Sequence, residues 1–447
     1  MAKNQRRAIS AQPIRTIREC NSTSRSDQDD FCKITLQRLL SWAKKGGFAV
    51  LDQGLFAGAN FLVNILLARW LEPTQYGAFV VAYSVFILLA DFHTAVLTEP
   101  MLVFGAGKYG DHFPKYLGLL IYGHWGVTSV IALLLGVVAL IFWQFGSEIL
   151  AQALAGLAFA SPFILLLWLV RRGFYVRFQP HWSATGGVLY MVLILAGMYG
   201  FYRGNWLSPA SALAMIGLVS LVVGLGLAVL LRPQLRFAGS NPTPGMVLAD
   251  HWRYGRWSTA TTASRWVSGN ISYMLLPAWV GLKGSAGLRA VMNLIMPVLH
   301  ANTAISVFLV PLFVKALKAE GKIGLYRFVR LAFILFTMSS VFYWGFLFLV
   351  RHEVLPWLYG GRYVEYADLL ILAGLLSFSE GVVGVLGTAF RAMERPDLIF
   401  RCYVVSTSVA LTLGLWLLAI KGVTGAVMGR LASSAATAIA MVWFHFL

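Results

Sequence analysis

From residue 48 onward the chain alternates long apolar runs with short polar turns. The first run covers about 48–68 and the second about 78–98, and the turn between them carries Pro73 and Gly77 as breakers. A bilayer core of about 30 Å takes about 20 apolar residues in a helix, so each run has the length of a membrane span. The pattern continues with runs at about 115–143, 148–170, 183–202 and 208–231. Then comes the longest internal polar segment, 232–256, with Pro233, Pro242 and Pro244, which reads as a linker. Six more runs follow, at about 257–280, 286–314, 331–350, 364–390, 398–420 and 423–446. The pattern predicts an all-α integral membrane protein of about twelve transmembrane helices in two six-helix lobes. The expected units are a polar tail over 1–46, a first lobe over 47–232, a cytoplasmic linker over 233–256 and a second lobe over 257–447.

Polar positions inside the runs follow a helical period. Gln53, Ala57, Asn60 and Asn64 make one stripe on the first span, and Ser258, Thr262, Arg265, Gly269 and Ser272 make another on the seventh. An amide in hydrocarbon is costly without a partner. The stripes therefore face a wet cavity or form interhelical hydrogen bonds. Aligning Trp70 with Trp279, an offset of 209, superposes the span pattern of the two halves and places Gln53 on Thr262 and Asn60 on Gly269. This predicts a parallel repeat about an axis along the membrane normal, with a central cavity between the two stripes.

Charge sets the orientation. Only 12% of residues are charged and 58% are hydrophobic, against about 25% charged in a soluble domain. With the N-terminus inside, the tail and inner turns hold 27 Lys and Arg and the outer turns seven, leaving Arg265 and Arg430 within spans. That asymmetry predicts cytoplasmic termini. It also accounts for the net charge of +18 without a nucleic-acid partner. The tail has ten Lys and Arg and no apolar core that reads as a cleavable signal peptide. Residues 1–30 read as disordered. Residues 31–45 read either as a basic amphipathic helix on the inner leaflet or as a solvated stop for the first span. The three cysteines have neither metal nor disulfide spacing.

Two stretches carry a family resemblance. RLLSWAKKGG followed by a helix ending NILLARWLEPTQYGAFVVAYSVF resembles the start of the polysaccharide-exporter branch of the MOP flippase superfamily, with Glu72 where that family's turn usually has glycine. The segment LPWLYGGRYVEYADLLILAGLLSFSEGVVGVLGTAFRAMERPDLIFRCYVVSTSV, residues 355–409, resembles the late region of the same branch. The resemblance covers much of the chain from Arg38 onward. It implies a MATE-like two-lobe fold in a bacterial inner (plasma) membrane. The implied activity is that of a Wzx-type flippase, moving a polyprenyl-diphosphate-linked oligosaccharide from the inner to the outer leaflet by alternating access, for O-antigen or exopolysaccharide export. The implied partners are that lipid-linked cargo, membrane lipids and other polysaccharide-assembly membrane proteins. No cofactor is implied beyond a coupling H⁺ or Na⁺.

The candidate chemistry is that of binding. A guanidinium keeps its charge and holds a phosphate through two parallel bonds. Arg265, about 12 Å into its span, and Arg430 are therefore candidates for the diphosphate, unless each only pairs with a carboxylate such as Asp91 or Glu380. Gln53, Asn60, Asn64, Thr262 and Ser272 are candidates for the rest of the head group. Asp91 and Glu380, ionisable groups inside spans, are candidates for ion coupling or for salt bridges. Asp52, Arg69, Glu99 and Asp368 lie near span ends, where charges reach water. His93, His124 and His300 are scattered without metal-ligand spacing and read as core histidines. No nucleophile constellation, carboxylate pair or phosphate-cradling loop points to an enzyme, and no outer turn is long enough for a polymerase site. The rival readings are a MATE-type multidrug or cation antiporter, whose cavity is acidic, and a peptidoglycan-precursor flippase.

Overall fold

The computed structural model describes residues 25–235, 241–393 and 395–446, and no strand occurs among them. The expected disorder over 1–24 lies outside the described residues, as does 236–240 of the linker. Helix α1 (Arg25–Trp70) runs unbroken from residue 25 into the first apolar run, so 25–45 are helical ahead of the span candidate Gly46–Trp70. After it come α2 (Pro73–His93), a π turn (Thr94–Thr98) and α3 (Glu99–Ala106), then α4 (Phe113–Gln144), α5 (Glu148–Val176), α6 (Pro180–Arg203) and α7 (Pro209–Leu231). The second half holds α8 (Pro244–Leu275), α9 (Pro277–Tyr359), α10 (Leu369–Gly374), α11 (Leu376–Ala392), α12 (Pro396–Val409) and α13 (Leu415–Phe446), with a π turn (Ala410–Gly414) between the last two.

Two of these helices fold back on themselves. α9 has non-helical glycines at Gly281 and Gly321, and α13 has one at Gly422, all with positive φ. Hydrogen bonds across the folds show the reversals. Ser285 Oγ donates to the Tyr273 carbonyl at 3.0 Å, Tyr359 OH to the Ala290 carbonyl at 3.0 Å, and Ser406 Oγ meets Ser433 Oγ at 2.8 Å.

Nine helices among the described residues are long and apolar enough to cross a membrane. They differ from the twelve expected runs at three places. α8 and the first arm of α9 are not among the nine, and the α12–α13 hairpin counts once. The chain is a multi-pass membrane protein.

Two expected boundaries move. The linker ends earlier than 256, because α8 starts at Pro244 with Thr243 Oγ1 accepting from the Met246 amide at 3.4 Å. Pro244 is a helix start, since proline at the first helical position forfeits no bond. Pro73 starts α2 in the same way, which shrinks the turn to Leu71 and Glu72. Gly77 breaks nothing. It lies within α2, where a Cβ would overlap the Leu282 carbonyl of α9, and it allows the two helices to touch.

Candidate functional site

A cavity of about 850 Å³ lies among α3, α8, α9 and the C-terminal helices. Its polar wall is Glu99 from α3, with Arg253, Ser258, Thr261, Thr262 and Arg265 from α8. Asn302, Thr303 and Ser306 from α9, Glu380 and Arg391 from α11 and Tyr403 from α12 complete it. α8 contributes most because its polar stripe faces inward, which is also why it reads as a poor lipid-facing span.

The cavity holds three arginines against two glutamates. The Arg265 side chain is 58% exposed and its Nη2 stands 3.7 Å from Asp91 Oδ1. Arg265 is thus both a cavity cation and an ion-pair partner. Glu99 accepts from the Ser258 hydroxyl and Glu380 from Ser434 Oγ at 3.0 Å. Asn302 and Ser306 are buried, and neither the Asn302 amide nor the Ser306 hydroxyl has a partner among the described residues. They are open donors and acceptors on the cavity wall.

Of the expected site residues, Arg265, Thr262 and Glu380 line this cavity, and Asp91 reaches it through Arg265. The others lie elsewhere. Arg430 donates to the Gly269 carbonyl at 3.0 Å and ties α13 to α8. Ser272 is outside the cavity lining. Gln53 is exposed and donates to Tyr175 OH at 3.5 Å. Asn60 lines a small separate space with Phe56, Tyr83, Trp168 and Tyr190. Asn64 is buried and works as interhelical glue: its Nδ2 donates to the Asn60 carbonyl at 2.8 Å, and its Oδ1 accepts from Tyr76 OH at 3.4 Å and Arg289 Nε at 3.3 Å. The expected cavity between the stripes of the first and seventh spans is therefore corrected. The α8 stripe is wet, while on α1 Gln53 is exposed, Asn60 lines a separate space and Asn64 is glue.

The Asn64 network seals one end of the molecule. Asn293 Nδ2 donates to Tyr76 OH at 3.1 Å, joining α9 to α2. The Arg362 guanidinium donates to the Leu71 carbonyl, and Tyr76 and Tyr363 rings lie 6.4 Å apart. Arg289 is the main residue missed in the sequence. The charge count puts it among the seven outer-turn cations although position 289 falls in the 286–314 run, and it stands within α9 with Tyr83 and Tyr273 rings 5.7 Å and 5.9 Å away. Ser285, Arg289 and Asn293 recur every four residues, a stripe that would have marked it. Arg253 and Arg391 were missed because they were assigned to the linker and a turn.

At the other end α8 is pinned to the first half. Lys108 Nζ and Tyr109 OH both donate to Asp250 Oδ2 at 2.5 Å. These two bonds, from Lys108 first, hold the Asp250 carboxyl below its usual range, and the Asp250 bond raises Lys108. His251 Nδ1 donates to the Val96 carbonyl at 2.8 Å, which leaves its Nε2 to accept from Tyr116 OH at 2.6 Å. Asp52, expected to reach water, is fully buried and pairs with Arg171 at 2.8 Å while accepting from Tyr175 OH at 2.6 Å.

No protein-family model matches the chain. An inward-facing multidrug resistance MATE family transporter of the MOP superfamily superposes with a TM-score of 0.71 at 15% identity, over 89% of this chain and 97% of that one. The chain has the fold of the MOP superfamily. The lipid II flippase MurJ, in an inward closed conformation, superposes with a TM-score of 0.68 at 12% identity, over 90% of this chain and 87% of that one. In sequence the chain is 23% identical over 177 residues to the lipopolysaccharide biosynthesis protein WzxC of Escherichia coli (strain K12). That match takes in 39% of this chain and spans about a third, 34%, of the relative's length. The two superposed structures are of a transporter and a flippase.

Proposed function

We propose that this MOP-fold protein is a flippase for a polyprenyl-diphosphate-linked oligosaccharide in a bacterial inner membrane, crossing it twelve times with both termini cytoplasmic. The observation that carries the reading is Arg265, 58% exposed at the wall of a cavity that Arg253 and Arg391 also line. A diphosphate fits such a site, because guanidinium–phosphate bonds are charge-assisted and bidentate. Asn302, Ser306 and Thr262 offer neutral donors and acceptors suited to sugar hydroxyls. The lipid tail would stay in the bilayer while the head group occupies the cavity. The distant match to a lipopolysaccharide biosynthesis protein and the fold shared with a lipid II flippase both support a lipid-linked cargo. In this reading Asp91 and Glu380 would be the carboxylates that respond to an H⁺ or Na⁺ gradient.

The second reading, a cation antiporter, draws on the MATE-like fold and on Glu99 and Glu380 in the cavity. The test uses cells lacking the protein. The flippase reading expects a polyprenyl-diphosphate oligosaccharide to accumulate on the inner leaflet, and Arg265→Gln to reproduce that accumulation. Normal lipid-linked intermediates together with changed sensitivity to cationic drugs would replace it with the antiporter reading.

A further inference from the structure

Arg289 lies in the 286–314 run and has no carboxylate partner among the described residues. A charge inside a membrane span is costly, and it marks a binding site or a path more often than a purely structural position. The groups that hold this one are neutral. Its Nε donates to Asn64 Oδ1 of α1 at 3.3 Å. Its guanidinium stands 5.7 Å from the Tyr83 ring of α2 and 5.9 Å from the Tyr273 ring of α8. One amide oxygen and two ring faces attract a cation but do not neutralise it. The side chain is only half-buried.

Three helices connect Arg289 to the cavity. Asp91, which pairs with Arg265, is eight residues from Tyr83 along α2, and Arg265 is eight residues from Tyr273 along α8. Each separation is about 12 Å along a helix axis, and both lead toward the closed end. On α9, Arg289, Asn293, Met296, His300 and Thr303 recur at four, three, four and three, which puts them on one face. Thr303 lines the cavity, and His300, one turn nearer Arg289, is exposed. The face of α9 that bears Arg289 therefore continues into the cavity wall.

We propose that Arg289 is a second binding site for the cargo's diphosphate, filled as the closed end opens and lying beyond Arg265 on the outward path. The proposal rests on the anionic-cargo reading. In the sealed state Arg289 shares Asn64 Oδ1 with Tyr76, whose hydroxyl also accepts from Asn293. Opening that end parts α9 from α1 and α2. Ser285 Oγ joins α9 to α8 at the Tyr273 carbonyl, so Tyr273 stays with Arg289. Asn64 and Tyr83 do not, because they belong to α1 and α2. The bared guanidinium then offers the two parallel bonds that a phosphate accepts. An anion that binds the parted state better than the sealed one shifts the population toward it. Cargo arriving at Arg289 thus favours the opening through which it leaves. An arginine that only held the seal would give no such response to an anion.

The test uses the full chain in phosphatidylcholine nanodiscs, with inorganic pyrophosphate as the probe. Native cysteines are replaced by serine, Arg265→Gln removes the first site, and Val80→Cys, at a buried position of α2, reports opening. Saturating pyrophosphate should speed the reaction of that cysteine with a water-soluble maleimide by about fivefold or more. Adding Arg289→Gln should abolish the acceleration. Adding Asn64→Ala instead, which loosens the same contact and keeps the cation, should preserve it. No acceleration with Arg289 present overturns the site, as does acceleration that survives Arg289→Gln. Loss of the acceleration in Asn64→Ala as well would assign the effect to the seal alone and also overturn it. Should Arg289→Gln fail to fold, Arg289→Lys replaces it. An ammonium lacks the bidentate geometry, so its acceleration should be smaller, and an unchanged one overturns the site. A rate raised by phosphatidylglycerol in the nanodiscs without pyrophosphate, and restored by Arg289→Gln, would give the site to a phospholipid headgroup and overturn the cargo assignment. The flippase reading fails separately: normal lipid-linked intermediates in cells lacking the protein would overturn it, while an intact pyrophosphate response would leave Arg289 an anion site.

Discussion

At the scale of single residues, Asp52 and Arg171 form an ion pair away from water. The pair is buried, with Arg171 also 3.1 Å over the Phe56 ring and Asp52 bonded to Tyr175. Removing one member of a buried pair strands the other charge and costs about 3–5 kcal/mol, whereas removing both is often close to neutral. Arg171→Gln should therefore lower the folded yield sharply, and the double variant Asp52→Asn/Arg171→Gln should recover most of it in a detergent thermal-shift assay. No recovery in the double variant would show that the charges do not act as a pair. Arg265 is a different case, because it faces water. Losing its charge-assisted bonds to a phosphate, about 1.5–3 kcal/mol, should weaken cargo or pyrophosphate binding by about 10- to 100-fold with little loss of fold. Unchanged binding in Arg265→Gln would remove it from the site. Arg265 was legible in the sequence because an arginine on a polar helical stripe inside an apolar run has few explanations. Arg289 and the contact of His93 with His124 at 2.9 Å were not. Arg289 depended on where a turn was drawn, and His93 and His124 meet only through the packing of α2 against α4.

At the scale of elements, prolines were the residues most open to misreading. The same residue type that ends one helix starts the next, and only the cap at Thr243 separates the two uses at Pro244. As a result the first turns of α8 looked like linker, and Asp250 and His251 looked like loop residues. They pin α8 to Lys108, Tyr109 and Tyr116. The pH dependence of that pin has a definite sign. Asp250 titrates below its ordinary value in the folded state, so its contribution is present above the unfolded value of about 3.9 and is lost as pH falls through the lower folded one. Lys108 titrates above its ordinary value, so its contribution holds below about 10.4 and is lost as pH rises through the higher folded one. Asp250→Asn should thus show a small loss of melting temperature at pH 7 that vanishes well below pH 4. A difference that persists at the lowest pH would assign the effect to something other than the charge.

At the scale of the whole molecule, the offset of 209 expected between the two halves recurs in two hydrogen bonds. Tyr76 bonds to Asn64 across the first hairpin of one half, and Ser285 bonds to Tyr273 across the first hairpin of the other, each position displaced by 209. What the repeat could not show is the asymmetry between the ends. The end with the α1–α2 turn is closed by Arg362 on the Leu71 carbonyl, by the Asn64–Tyr76–Asn293–Arg289 network and by the contact of Gly77 with Leu282. The cavity lies among helices on the other side of that seal. On the flippase reading, alternating access requires these contacts to part, since a cargo cannot leave toward a permanently closed end. Gly77→Ala places a methyl into a backbone carbonyl, an overpacking cost of about 1–3 kcal/mol carried by the sealed state alone. It should shift the population toward opening at that end by about 5- to 150-fold. With the native cysteines replaced by serine, a reporter Val80→Cys, buried in the sealed state, should then react faster with a water-soluble maleimide. The converse variant joins Leu71→Cys and Arg362→Cys with a short bismaleimide. Because the Arg362 guanidinium reaches the Leu71 carbonyl, the two positions lie within the span of such a reagent. Cross-linking should stop transport while leaving Arg391→Cys at the cavity open to labelling, and the same double-cysteine protein without the reagent should transport. Normal transport by the cross-linked protein would mean that the cargo does not pass between these two segments and that the seal is a fixed part of the fold.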